Sequence, residues 1–222
     1  AMQTVGIWAS FIIVTSIATL CSAIPVLSDE NKLEAMVGSK SPCDSAPCIS
    51  ILDTGEPDVD LATGGIVWTN QSLGIRFRFL DVFPNGSLLS IAAYLSTSRV
   101  SEDSGGNVVY VSLCRENVLL LAPGACISNS SFKMYPTDRL KLTWAPDHNM
   151  ILHKGQFYWF VLRGSAVSEE TSFTWFDGNK RLSPSRDALI VSSHTSDGTN
   201  WAIDAEADGK TELPTTLILV RR

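Results

Sequence analysis

Cysteine, asparagine in glycan-acceptor triplets, clustered carboxylates and tryptophan are the residues here whose spacing bears on chemistry. Five cysteines occur. Cys21 sits in an apolar N-terminal stretch, which leaves Cys43, Cys48, Cys114 and Cys126 in the polar body. An even number in an exported body points to two disulfides, and four cysteines allow three connectivities. The local pairs are favoured. Cys43-Asp-Ser-Ala-Pro-Cys48 is a short loop with a proline, and the segment from Cys114 to Cys126 contains Pro123-Gly124, which can turn the chain back. Zinc is the rival reading. Tetrahedral cysteine sites use tight pairs with short spacers, and the Cys114–Cys126 gap is too wide for one. His148, His153 and His194 show no ligand spacing either, so no metal and no cofactor are expected.

Three Asn-x-Ser/Thr triplets begin at Asn70, Asn85 and Asn129. All fall at expected strand ends or turns, where an acceptor is exposed, so N-glycosylation is expected in a eukaryotic secretory setting. The carboxylates Asp53, Glu56, Asp58 and Asp60 crowd one loop and are oxygen ligands of the type Ca²⁺ takes. Their spacing is not that of an EF-hand loop and no glutamate closes it, so a solvated acidic loop is expected. Serine, histidine and aspartate are present, but no Gly-x-Ser-x-Gly elbow occurs, and no enzyme is expected. Trp68, Trp144, Tyr158, Trp159, Trp175 and Trp201 could stack on sugars. Large aromatics dominate sandwich interiors, so most are assigned to the core.

The elements that must hold these residues read as strands. From about Thr63, short apolar runs with period two alternate with turn residues. Ile75, Phe77 and Phe79 alternate with Arg76 and Arg78; Leu89, Ile91, Ala93 and Leu95 form the next inward row. Val109, Val111 and Leu113 follow, then Leu140, Leu142 and Trp144. Phe157–Leu162 is apolar on both faces, as a central strand would be. Phe173 with Trp175, then 188–191, 200–203 and 215–220, complete nine or ten strands. No amphipathic helix lies among them. The expected fold is all-β, a jelly-roll-like antiparallel sandwich over 61–222, behind a linker at 28–60 and a hydrophobic helix within 1–27.

From Val5 to Leu27 the chain carries no charge. Two readings remain open. A signal peptide would be cleaved near Cys21-Ser-Ala23, after small residues. A retained anchor would span a bilayer core of about 30 Å at 1.5 Å per residue, although Pro25 ends the helix early. Net charge is −6, the isoelectric point is near 5.0, and no basic run exceeds Arg221-Arg222, so nucleic acid is not an expected partner.

Five segments occur in a familiar order: Gly74-Ile-Arg-Phe-Arg-Phe79, Ser90-Ile-Ala-Ala-Tyr-Leu95, Val109-Tyr-Val-Ser-Leu113, Leu140-Lys-Leu-Thr-Trp144 and Gly155-Gln-Phe-Tyr-Trp-Phe-Val-Leu162. Residues 68–201 resemble the choice-of-anchor β-sandwich domains of exported surface proteins. In those domains a Gly-x-x-Tyr-Trp-x-Val-Leu strand follows a Leu-Thr strand and precedes a tryptophan-bearing one, here Phe173-Thr-Trp175. The resemblance implies a sandwich fold and carries no catalytic residues. The family's anchoring signal is C-terminal, whereas the hydrophobic segment here is N-terminal.

The expected role is therefore non-catalytic. The first reading is a membrane protein anchored through residues 5–27, its sandwich on the lumenal or extracellular side, serving as a structural or accessory subunit of a larger membrane complex, possible hosts including a photosynthetic one. Its partners would be the other protein subunits. The alternative is a secreted sandwich that binds glycans or surface polymers.

Overall fold

In the computed structural model, residues 48–58, 63–79, 85–101, 107–180, 191–197, 200–206 and 213–221 are described. The hydrophobic segment, most of the expected linker, Cys43 and Asp60 lie outside them. Among the described residues no helix is long and apolar enough to cross a membrane, and the helical element is a single 3-10 turn at Glu169–Thr171.

The described residues form thirteen strands: β1 Cys48–Asp53, β2 Gly64–Val67, β3 Ser72–Arg78, β4 Gly86–Ser96, β5 Val108–Asn117, β6 Ala122–Lys133, β7 Leu140–Trp144, β8 Met150–Leu152, β9 Phe157–Gly164, β10 Phe173–Phe176, β11 Val191–Thr195, β12 Ala202–Glu206 and β13 Leu217–Arg221. They form two antiparallel sheets. One runs β12-β11-β3-β9-β5-β6. The other is built on the long β4: β13 and β10 follow each other along one edge, β8 and β7 along the other, with β1 outside β13 and β2 outside β10.

The sheets face each other across one apolar core, giving a sandwich-like all-β fold. Ile75 and Phe77 of β3, Val109, Val111 and Leu113 of β5, and Tyr158, Phe160 and Leu162 of β9 point inward from the first sheet. Ile91, Ala93 and Leu95 of β4, Trp144 of β7, Trp175 of β10, and Ile218 and Val220 of β13 meet them from the second. Phe160 bridges the layers. Its ring lies 6.3 Å from that of Trp144 and edge-on, at 5.6 Å, to that of Trp175. Both indoles satisfy their N–H: Trp144 Nε1 donates to Ser130 Oγ and Trp175 Nε1 to the Thr215 carbonyl, each at 2.9 Å.

Three local readings are corrected. β1 lies inside the stretch read as linker; its Ile49 and Leu52 gain burial only by pairing with β13. β6 was not anticipated, because Ser128-Asn-Ser-Ser131 has the composition of a loop. It is extended since β5 lies alongside it over most of its length. In β4 the inward residue is Leu88 and not Leu89. Ser90 pairs with Leu219 but Leu88 with Val220, so Leu89 is the extra residue of a bulge and the alternation slips by one.

Candidate functional site

The outward face of the β3-β9-β5 sheet divides into two halves. Toward the C-terminal end of β5 it is dry. Cys114 and Cys126 stand opposite each other on β5 and β6 and are joined by a disulfide. Cys114, Trp159 and Val161 are fully buried beneath Trp201. Gly74 gives this cover its room, since a Cβ there would stand 3.3 Å from Trp159, Val161 and Trp201 alike. Arg76 and Glu116 close this half as an ion pair 2.7 Å apart, their side chains only 11% and 6% exposed, and the Arg76 guanidinium sits 4.0 Å over the Phe157 ring. Burial pushes the Glu116 carboxyl above its ordinary value, with Arg76 offsetting part of that, and burial lowers Arg76.

The other half is a polar groove of about 660 Å³. Its floor is Ser72 of β3 and Ser112 of β5, each 6% exposed. Tyr110, 45% exposed, stands between Arg163 of β9 and Ser131 of β6, its two register partners. Asn129 faces Ser112 from β6. The β2–β3 turn, Thr69-Asn70, forms one wall and is tied down by the Thr69 N–H and Oγ1, which both donate to the Ala166 carbonyl. Ser196 and Asp197 form the wall opposite. Asp197 is the acid among the lining residues, and its oxygens are already engaged: Oδ1 accepts from Thr195 Oγ1 at 3.0 Å and from the Asn200 N–H at 2.8 Å, and Oδ2 from the Asn200 amide at 2.6 Å.

Such a lining offers hydroxyl and amide hydrogen bonds, one guanidinium and one phenol ring. It lacks what acid–base chemistry needs, a second carboxylate or an adjacent nucleophile–base pair aimed at a common point. No such pair is present among the lining residues.

The residues singled out in the sequence are distributed as follows. Asn70 and Asn129 both line the groove, Asn70 in a turn and Asn129 in the middle of β6, not at a strand end. Asn85 is exposed ahead of β4 and accepts the Lys154 N–H through Oδ1. Cys48 is disulfide-bonded to a residue outside the described ones. Of the acidic loop, Asp53 and Glu56 are engaged by separate partners. Asp53 pairs with Lys180 and caps Gly55 N–H. Glu56 accepts from the Tyr94 hydroxyl at 2.5 Å and meets Arg139 at 3.4 Å. Burial and the Glu56 carboxylate push the Tyr94 phenol up to about 12. No group of three or more candidate metal ligands occurs among the described residues. Of the aromatics proposed for a sugar-stacking face, Trp144, Tyr158, Trp159 and Trp175 are buried, and Trp68 and Trp201 are half-buried. Sequence reasoning missed Tyr110, Ser112 and Arg163. The signal for them was present in their polar side chains on alternating strands, but alternation alone does not tell a groove from open surface.

No protein-family model matches the chain, and no curated protein matches it.

Proposed function

We propose that this is an exported protein that works by binding, with the groove as its site for a glycan or a related polyhydroxylated polymer. The carrying observation is the lining: Ser72, Ser112, Asn129 and Ser131 around the exposed ring of Tyr110, with Arg163 as the cation. A pyranose offers hydroxyls to such groups and a C–H face to such a ring. Arg163 suits a carboxylate or sulfate on the polymer. The absence of a paired acid or base among the lining residues supports binding over catalysis. The uncharged stretch at residues 5–27 supports attachment to a membrane, which would present a jelly-roll-like sandwich on the lumenal or extracellular side, where it could serve as an accessory subunit of a larger complex. The likeness of residues 155–162 to the choice-of-anchor strand supports export.

Isothermal titration against a panel of neutral and acidic oligosaccharides tests the groove. Tyr110→Ala and Arg163→Ala should each weaken the best ligand by about ten-fold, the loss of roughly 1.4 kcal/mol expected for one stacking or charged contact. Unchanged affinity in both variants, or no binding across the panel, defeats the reading. Asn129 sharpens the test. A glycan linked there would fill the groove, so peptide mass spectrometry should find Asn129 unmodified wherever the groove is open to ligand.

A further inference from the structure

The β5–β6 hairpin ends in four consecutive aliphatic residues, Val118-Leu-Leu-Leu121, which form its loop. They are 76%, 94%, 67% and 49% exposed. Soluble surfaces carry single apolar residues freely, but not a contiguous run at a protruding tip. The loop is also built, not frayed. Asn117 accepts the Leu119 N–H through its side chain and the Leu120 N–H through its carbonyl. The Cys114–Cys126 disulfide cross-links the hairpin stem. Leu121 is the one non-glycine with positive φ among the described residues, at 48°. Glycine fills that conformation at no steric cost, and here a leucine fills it. Strain of this kind persists where the side chain is required.

The surroundings narrow what the tip meets. Arg115, in the hairpin, pairs with Tyr158. The Tyr158 hydroxyl accepts the His153 N–H, and the next residue, Lys154, donates to Asn85. Beside Asn85, Gly86 lies against the Arg221 carbonyl. Arg115, Lys154 and Arg221 are all exposed and gather at this end of a chain whose net charge is −6. The hairpin's own carboxylate, Glu116, is committed to Arg76. β1 also begins at this end, Cys48 pairing with Arg221. A convex aliphatic point with exposed cations at the same end fits a bilayer leaflet, where apolar side chains settle some 5–10 Å into the boundary and cations meet anionic headgroups. Protein hot spots draw instead on Trp, Tyr and Arg seated in pockets.

We infer that the Val118–Leu121 loop inserts into the surface of a membrane containing anionic lipid, with Arg115, Lys154 and Arg221 on the headgroups. This is independent of the groove. The test uses the full chain on phosphatidylcholine vesicles brominated in the acyl chains, with and without phosphatidylserine. Leu119→Trp places a reporter at the tip and Val167→Trp, 86% exposed as valine in the loop after the other end of β9, places one away from it. Fluorescence is read as the difference from the parent chain. We expect Leu119→Trp to be quenched several-fold more than Val167→Trp, and more with phosphatidylserine than without. Adding Arg115→Gln and Lys154→Gln should abolish the phosphatidylserine increment. Equal quenching at the two positions overturns the inference, since it leaves residues 5–27 as the membrane contact. So does a Leu119→Trp tip untouched by brominated lipid but shielded from an aqueous quencher by a protein partner.

Discussion

Glu116 shows how much a neighbour's position matters to a single residue. In sequence it is one acid among many; in the fold it is a nearly dry carboxylate against Arg76. Its folded pKa is raised above the ordinary 4.5, burial outweighing the guanidinium. A raised carboxylate contributes stability in its protonated form. That contribution is whole below the unfolded value and is lost as pH climbs through the folded one. Glu116→Gln fixes the neutral form. Urea midpoints measured from pH 4 upward should therefore show the variant gaining on the parent chain as pH rises. A difference that stays flat, or runs the other way, would mean that Arg76 outweighs the burial. The pair is better read as closing the lid over Trp159 and the disulfide than as a source of net stability.

At the scale of elements, the hairpin β5–β6 separates local from imposed structure. The expected turn was Pro123-Gly124, yet the chain reverses at Val118–Leu121 and both of those residues belong to β6. Gly124 is instead a close-approach position, where a Cβ would meet the Arg115 carbonyl and the Asn117 nitrogen at 3.1 Å. The positive φ of Leu121 is the point to probe. Leu121→Gly trades relief of strain against a floppier unfolded chain, so stability should hold within about 0.5 kcal/mol. Leu121→Val puts a β-branched residue in the same conformation and should cost about 1 kcal/mol or more. Chemical denaturation of the two variants, side by side, checks both. Equal behaviour would show that the loop rearranges without resistance.

For the whole molecule, the interlock of the two sheets through Phe160, Trp144 and Trp175 is the decisive feature. Phe160 has no exposed surface. Phe160→Ala should cost about 3–5 kcal/mol, a large part of the total stability of a domain, as measured by equilibrium unfolding. A loss below about 1 kcal/mol would mean that the sheets close over the cavity. The same assembly gives the molecule direction. The exposed aliphatic tip and the start of β1 lie at one end, and the polar groove opens on the sheet's outer face toward the other half.

What the sequence determined by itself was the class of structure. Ile75, Phe77 and Phe79 alternate with arginines, and Phe157–Leu162 is apolar on both faces, because a strand presents side chains with period two and a central strand is covered on both sides. Those properties are local and survive without knowledge of partners. The groove, the dry half beside it and the exposed tip were decided only by tertiary structure. Tyr110, Asn129 and Arg163 converge because β6 and β9 flank β5 on either side, a fact of strand order that no local pattern records. Val118–Leu121 looks like core material in sequence, since hydrophobicity measures a tendency to leave water. Which residues can act on that tendency depends on whether another surface arrives to cover them, and in this chain none of the described residues does.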